Sequence, residues 1–584
     1  MKWILAEHDA GAVSRLSDQA GIHPLIARLM MARGISDPVA ALSFLSSDLT
    51  SLSNPQIFRG MDTAVARIHS ALSSRQKIVV FGDYDVDGVT GAAVLFLMLR
   101  ELGADVDSYI PDRMTEGYGL NAGALSKIKD TGARLVITVD CGISALKEAE
   151  AARSLELDLI VTDHHESAAV QGNGPGPDRE KLPDALAVIH PKYLLPDTPD
   201  ALRESVGCLT GVGVAFKLAQ AMLDAPADDV RLRKYLDLVT LGTVADMGRI
   251  TGENRVLVRH GLDILSSDPA SLRPGIAALK QVACLNGKRV NVGNVGFNLA
   301  PRINASGRLE KADTAFRLMI TESTEEAERL AFQLDTVNRE RQALEEGIWG
   351  TARELCLQAD LANTGAFILS SEDWHPGVIG IVASRIVDEF YRPAALISVK
   401  DGVGKGSARS IPGFDLYQGL STCSDLLMGF GGHKYAAGLS VAAERIPELR
   451  ERLSAAVLEQ FGTSGIVRTI TIDSPVTFDE LSFDLMRDIE RMAPFGQGNP
   501  EPRFGAKGLQ VQSIRSVGNN KHLKLRLRQQ NGRFFDAIAY NKGSSIGNWL
   551  RCGDRVAVVF TPRINTWNGM TNIELDIKDI KIEK

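Results

Sequence analysis

Three aspartates, Asp83, Asp85 and Asp87, stand at alternate positions in FGDYDVDGVTG, directly after the apolar run KIVVF (77–81). A spacing of two on an extended chain sends the carboxylates to one side, where together they can hold a divalent cation. The same spacing fits the start of an EF-hand loop, but that loop needs a bidentate Glu at its twelfth position, where this chain has Val94. A turn with a helix-capping Asp accounts for one of the three, not for all. Two further apolar runs end in the same chemistry: RLVITV (134–139) runs into Asp140, and LDLIV (157–161) into Thr162, Asp163, His164, His165 and Glu166. A fourth segment, LVTLGTVADMG, delivers Asp246. A lone Asp at such a point also serves as an N-cap and a lone His as a satisfied core residue, so the weight lies in their joint occurrence. Several aspartates with a neutral imidazole and no thiolate motif favour Mn2+ or Mg2+ over zinc, with carboxylates enough for two ions. Such a pair activates water and stabilises the attacking and leaving oxygens on phosphorus, so phosphoester hydrolysis is the expected chemistry. GVGVAF (211–216) lacks the third glycine of a dinucleotide fingerprint, and GVGKGSAR (402–409) lacks the Ser or Thr of a phosphate-binding loop, so no ATP site is expected.

These side chains need a scaffold that brings strand ends together. The β-branched runs at 77–81, 105–110, 134–139, 157–161 and 186–189 alternate with helical stretches, which predicts a parallel sheet whose carboxyl ends line a crevice. A Gly/Pro-rich stretch, 171–184, predicts a surface loop beside that crevice. The expected organisation is an N-terminal helical segment (1–75), a catalytic α/β domain (76–320), a long charged helix that connects rather than forms core (321–362), a second α/β domain (363–462) and an antiparallel β-barrel (463–584).

The 584 residues, 44% hydrophobic and 23% charged, exclude a disordered, collagenous or small disulfide-built chain. The net charge of -7 argues, as an average, against a wholly basic nucleic-acid coat protein. That average conceals a split: from Pro500 to Lys584 there are 15 Lys and Arg against 7 Asp and Glu, which leaves the remainder near -15. Lys521, Lys524, Arg526 and Arg528 lie in or beside HLKLRLR, the last three on one face of a strand, with Phe534, Tyr540 and Trp567 as stacking candidates; a merely solvated face is the alternative. Six isolated cysteines, no signal-peptide core and no membrane-length apolar run suggest a soluble, cytoplasmic protein with no membrane contact.

With these motifs in hand, the chain resembles the DHH phosphoesterase superfamily, and within it the single-strand-specific exonuclease branch. GDYDVDG, VTVDCGIS, VTDHH, LVTLGTVADMG, PRINASGRL, WHPGVIGIVASR, KGSARSIPG and GFGGHKYAAG occur in family order, and APFGQGNPEPRF resembles the junction into an oligonucleotide-binding (OB) barrel. The resemblance implies that Asp85, Asp87, Asp140, His164 and Asp246 hold two metal ions, with Asp140 between them, Asp83 a weaker or outer ligand and His165 oriented toward phosphate. Where small-molecule members carry a His, four residues before Asp85, this chain has Phe81, so one metal position is poorer in protein ligands. Arg113, Asn304, Arg308, Ser407, Arg409, Gly432 and His433 are implied as phosphate or DNA contacts. Arg113 has an ion pair with Glu116 as its alternative, and His433 a tight surface turn. The implied activity is 5′ to 3′ hydrolysis of single-stranded DNA to 5′-mononucleotides in recombination and repair, by a monomer acting with a helicase and single-strand DNA-binding protein. The alternatives are a catalytically silent replication scaffold and a phosphodiesterase for short oligonucleotides.

Overall fold

The computed structural model describes residues 1–113, 115–170, 179–309, 312–462, 466–530, 532–567 and 569–583. FGDYDVDG folds as the end of strand β1 (Ile78–Gly82) and the start of helix α1 (Val86–Glu101), with the Asp85 carboxylate accepting from Gly88 N at 3.0 Å as its N-cap. Strands β2 (Val106–Tyr109), β3 (Leu135–Val139), β4 (Asp158–Thr162) and β5 (Ala187–Ile189) join β1 in one all-parallel sheet of order β2-β1-β3-β4-β5. β1 and β3 are buried along their whole length, which is why they read as unbroken Val/Ile runs.

One face of the sheet packs on α1, α2 (Gly211–Leu223) and α3 (Leu236–Ala245), and the other on the helices Ala122–Asp130 and Leu146–Ser154. The chain order reverses between β1 and β3, and at such a switch point the two outgoing loops diverge and open a crevice. Asp83, Asp85 and Asp140 leave the sheet at this point. The Gly/Pro-rich stretch falls mainly on 171–178, outside the described residues; its flanks Ala168–Val170 and Arg179–Lys181 pair antiparallel.

Helices α4 (Gly252–Leu265) and α5 (Ala300–Leu309) complete this module before the long helix α6 (Thr324–Leu357). The expectation that α6 connects rather than forms core is half corrected. Ala327, Leu330, Ala331 and Leu334 pack into the core of the first module, while Ile348, Ala352 and Cys356 pack under the second module, so α6 belongs to both interiors. That module is a mixed sheet of order β9-β10-β8-β7-β6, built from β6 (Phe367–Ser371), β7 (Ala394–Lys400), β8 (Val403–Arg409), β9 (Leu427–Gly432) and β10 (Ala436–Ala442).

The C-terminal strands β11 (Phe504–Val517), β12 (His522–Gln529), β13 (Phe534–Ala539), β14 (Arg555–Trp567) and β15 (Met570–Ile582) close in the order β11-β12-β13-β15-β14, with β14 returning to β11. Closure removes the free edges. The first 75 residues divide between two interiors. Helices Ala10–Ala20, Pro24–Met31 and Pro38–Ser46 bury Leu16, Leu25, Leu29 and Leu45 in one core with the barrel residues Phe504, Leu525 and Phe560, whereas Phe58, Met61 and Ile68 join the catalytic core. Strand Lys2–Leu5 pairs parallel with Thr469–Ile472. Among the described residues no single helix is long and apolar enough to cross a membrane.

Candidate metal centre and phosphate-binding cleft

Asp87 lies in the first turn of α1 and is fully buried, with its two carboxylate oxygens accepting from Gly211 N (2.6 Å) and Val212 N (3.0 Å) at the start of α2. The helix N-terminus thus holds one carboxylate of the cluster. Gly211 also lies against Asp140: a Cβ there would sit 2.6 to 2.8 Å from the Asp140 side chain. GVGVAF therefore keeps its first glycine for close approach to a carboxylate, not for a dinucleotide. Asp140 follows β3 in a left-handed conformation at φ 63°, its N–H donating to Thr162 O at 3.0 Å. A non-Gly residue held there is strained, and strain of this kind collects at functional sites.

His164 turns its Nε2 into the same space, 3.1 Å from Asp140 Oδ1 and 3.7 Å from both Asp87 Oδ2 and Asp246 Oδ2. Burial, reinforced by neighbouring His165, pushes its imidazole down to about 4, so it is neutral at physiological pH and these are not ion pairs. Asp246 closes the group from the C-terminal end of α3, where the helix dipole disfavours negative charge. Asp83, Asp85 and Asp140 form a second convergent set, and Asp140, His164 and His165 a third.

The carboxyl groups are held well away from their ordinary ionisation. Burial, compounded by repulsion from its neighbours, pushes Asp83 up to about 8, Asp87 to about 7 and Asp246 to about 8, and raises Asp140 well above the carboxylate range. Asp83 Oδ1, Asp140 Oδ1 and His164 Nε2 are buried without a hydrogen-bonding partner. Unpaired buried acceptors are costly, and acceptors that converge on one space fit a hard divalent ion bound by oxygen and imidazole ligands. Phe81 contributes packing instead of a ligand, fully buried and stacked on Tyr109 with centroids 5.5 Å apart.

His165 lies beside this group with Nδ1 2.8 Å from Asp163 Oδ1. Burial opposes its charge, but the hydrogen bond and charge of Asp163 prevail and raise it to about 9. The Asp163 carboxylate, also accepting from Ile143 N and His165 N, stays below its usual range despite its burial. The pair therefore presents a positioned imidazolium at the edge of the cleft.

Cations share the cleft with the aspartates. The cleft, about 350 Å³, is lined by Asp83, Asp85, Asp87 and Asp246 together with Arg113, Asn304 and Arg308. Arg113 lies over the Tyr84 ring at 5.2 Å, while Glu116 is engaged by Lys127 at 2.6 Å and by Tyr109 Oη at 2.8 Å. The Arg113–Glu116 ion pair is thus replaced by a stacked guanidinium. Arg308 reaches the second module, its Nη1 donating to Gly377 O at 3.0 Å. Burial, with Arg113, Arg341 and Arg409 around it, pushes Arg308 down to about 10, a cluster of guanidiniums in want of an anion. Arg409 Nη1 donates to Ser407 Oγ at 3.1 Å. Gly432 adopts φ 143° and has no room for a Cβ, which would meet Ala436 O at 2.4 Å; it starts the exposed turn that carries His433.

The barrel cations do not line this cleft. Lys524, Arg526 and Arg528 alternate along β12 with the buried Leu523, Leu525 and Leu527, while Lys521 sits in the preceding turn. Lys524 pairs with Glu574 at 3.4 Å and Arg526 with Asp536 at 2.9 Å, the latter also 4.9 Å from the centre of the exposed Phe534 ring. The side chain of Trp567 lies outside the described residues. Sequence reasoning missed Arg341 and two tyrosines that line the cleft, Tyr84 and Tyr118. Arg341 lines a second chamber of about 560 Å³ that shares Ala245, Asn304 and Arg308 with the cleft, but in NRERQ it reads as one charge among many on α6.

Each module of the chain matches a known domain family. Residues 77–243 match the N-terminal domain of the DHH family, 363–459 the DHHA1 domain and 472–579 the RecJ OB domain. Proteins named single-stranded-DNA-specific exonuclease RecJ are similar over nearly the whole chain. That of Bacillus subtilis is 38% identical, covering 100% of this chain and 71% of its own, and that of Escherichia coli is 33% identical, covering 96% of each. The crystal structure of RecJ from Thermus thermophilus in complex with Mn2+ superposes with a TM-score of 0.81 at 30% identity, covering 100% of this chain and 80% of that one. A structure of exonuclease RecJ bound to manganese, 37% identical, covers 68% of this chain and 94% of its own with a TM-score of 0.56.

Proposed function

The chain belongs to the RecJ family, and from that premise we propose that it is a metal-dependent exonuclease specific for single-stranded DNA, working 5′ to 3′ and releasing 5′-mononucleotides. The observation that carries this reading is the meeting of opposite charges in one cleft: carboxyls that converge with a neutral imidazole, and guanidiniums that line the same space. Asp85, Asp87, Asp140, His164 and Asp246, with Asp83 beside them, would hold two Mn2+ or Mg2+ ions. When bound, such ions supply Lewis acidity to a scissile phosphate and lower the pKa of water near it.

The chain's own residues do the rest. His165, held by Asp163 at 2.8 Å, keeps a proton directed at the phosphate and screens its developing charge. Arg308 and Arg409, with Ser407 and Arg113, grip the terminal phosphate of the strand. A terminal phosphate carries more negative charge than an internal one, so a guanidinium cluster at one end of the cleft selects an end and sets polarity. Asn304 and the Gly432–His433 turn are positioned to direct the strand, and the barrel, with basic β12 and exposed Phe534 and Tyr540, holds its more distant part.

A silent scaffold would have lost ligands, and every expected carboxylate and both histidines are present. A phosphodiesterase for short oligonucleotides would have no use for the barrel. By the same reading the protein acts as a monomer in recombination and repair, on strands opened by a helicase and coated by single-strand DNA-binding protein. The deciding assay compares 5′-labelled and 3′-labelled single strands and blunt duplex in Mn2+ or Mg2+. Release of labelled mononucleotide from the 5′ end of single strands alone is expected; equal attack on duplex, or release beginning at the 3′ end, overturns the reading.

A further inference from the structure

Three segments far apart in sequence meet on one side chain that takes no part in the chemistry. Arg255, in the first turn of α4, is only 2% exposed. Its Nη1 donates to Phe44 O and Ser47 Oγ, in and just after the last of the N-terminal helices that share the barrel's core. Its Nη2 donates to Arg491 O at 3.0 Å and Ala493 O at 2.8 Å, in the junction that leads into the barrel, and the guanidinium lies 3.7 Å from the centre of the Phe44 ring. Among the described residues no carboxylate pairs with it, so neutral oxygens alone hold a buried cation. A guanidinium stays charged at physiological pH, and moving the junction away would strip Nη2 of both its acceptors and leave a half-satisfied charge at the seam. Such an arrangement is kept whole or broken altogether.

The junction is tied from two other directions. Arg33 donates to Asn499 Oδ1 at 2.7 Å and to Pro500 O at 2.6 Å, and Asn499 Nδ2 braces the loop internally through Met492 O and Pro494 O, each at 2.9 Å. Ile250 N donates to Gln497 O at 2.7 Å, and a Cβ on Gly496 would come within 2.7 Å of Ile250. Ile250 follows Asp246 by four residues, so the junction packs directly behind the loop that leaves the metal cluster.

We propose that Arg255 is a positioning residue that locks the barrel onto the catalytic module and thereby fixes how far the barrel's basic face stands from the metal cleft. This rests on the nuclease reading above. A strand held at both places is bound with the effective concentration that their fixed separation sets, and this advantage falls when the two bodies move independently. A strand too short to reach the barrel gains nothing from the lock.

The chain provides its own reporters: Cys284 in the catalytic module and Cys552 in the barrel are its exposed thiols, the other four being buried or half-buried. Nitroxides on these two cysteines of the whole 584-residue chain should give one narrow distance in the wild type and a broad distribution in Arg255→Met. The kcat/KM of Arg255→Met on short strands should match the wild type, while its preference for long strands falls at least about tenfold. Arg255→Lys should recover part of both. His260→Ala, which cuts only the neighbouring tie of α4, the hydrogen bond between His260 Nε2 and Ser47 O at 2.9 Å, should broaden the distance less and serves if Arg255→Met does not fold. An unbroadened distance in the folded variants, or an unchanged preference for long strands, overturns the proposal. Should the wild type itself show no such preference, the barrel's role in the nuclease reading fails, while the nitroxide distance, measured without DNA, still decides whether Arg255 is the lock.

Discussion

The metal cleft and the barrel face are both charged surfaces, but they hold their charge in opposite ways. In the cleft, Asp83, Asp87, Asp140 and Asp246 are driven up by burial and mutual repulsion, and three buried polar atoms have no partner. On β12, Lys524 and Arg526 already have carboxylate partners in Glu574 and Asp536, at 41% and 47% side-chain exposure. The first surface stores an imbalance that only a cation relieves. The second keeps a net positive charge at exposed and partly paired side chains, so DNA binding there exchanges some carboxylates for phosphates and gains mainly through counterion release. One site should therefore collapse with a single substitution, and the other should erode.

The largest effect expected is at Asp140, which contributes to two of the three convergent ligand sets. Asp140→Ala should lower turnover by more than about 10³-fold, equivalent to roughly 4 kcal/mol, while single-strand affinity in a filter-binding or anisotropy assay stays near the wild-type value. Near-normal hydrolysis would remove Asp140 from the shared position and weaken the contrast between the regions.

Next come the guanidiniums facing the aspartates. Arg308→Ala or Arg409→Ala should lower kcat/KM on 5′-phosphorylated strands about 10- to 100-fold, the worth of one or two charge-assisted hydrogen bonds, and should affect 5′-hydroxyl strands far less. Equal losses on both substrates would reassign these residues to holding the modules together, a role that the Arg308 hydrogen bond to Gly377 also permits.

The stored imbalance should also appear in stability. Asp83 and Asp246 titrate near 8 and Asp87 near 7 in the folded chain, against about 3.9 when unfolded, so the folded state binds more protons. Their contribution is therefore fully present below about pH 4 and is lost as pH rises through 7 to 8. Metal competes with those protons, so Mn2+ should raise the Tm of the metal-free protein by several degrees at pH 8 and by much less at pH 5. A metal effect independent of pH in differential scanning fluorimetry would contradict this electrostatic account.

The smallest effects belong to the barrel. Lys524→Ala or Arg526→Ala should weaken long-strand binding by less than about tenfold and lower the salt slope by about 0.7 for each phosphate no longer neutralised. An unchanged slope would leave the face as a solvated sheet. Point substitutions are the right instrument here, because removing the barrel would expose Leu16, Leu25 and Leu29, which the N-terminal helices bury against it.

Much of the candidate site was legible because its acidic residues stand where sequence patterns end. Asp83, Asp140 and Asp163 each follow an apolar run, and strand direction alone sends them to one edge of a parallel sheet. The second module and the barrel were legible for the same reason, since period-two alternation and turn residues are local signals. Arg341 was not, because a buried guanidinium and a solvated one look alike in a charged helix. Nor was the reason for Gly211, whose missing side chain matters only because Asp140 lies against it.

The sequence by itself determined the ligand types, the parallel sheet, the basic C-terminal face and the order of the modules, since each depends on residues close together in the chain. Only the tertiary structure decided that the first helices complete the barrel's core, that α6 belongs to two interiors and that Arg255 joins segments 44–47 and 491–493. Those interactions span hundreds of residues. Their energy comes from burial and from hydrogen bonds to main-chain carbonyls, which every residue carries and no local pattern reveals.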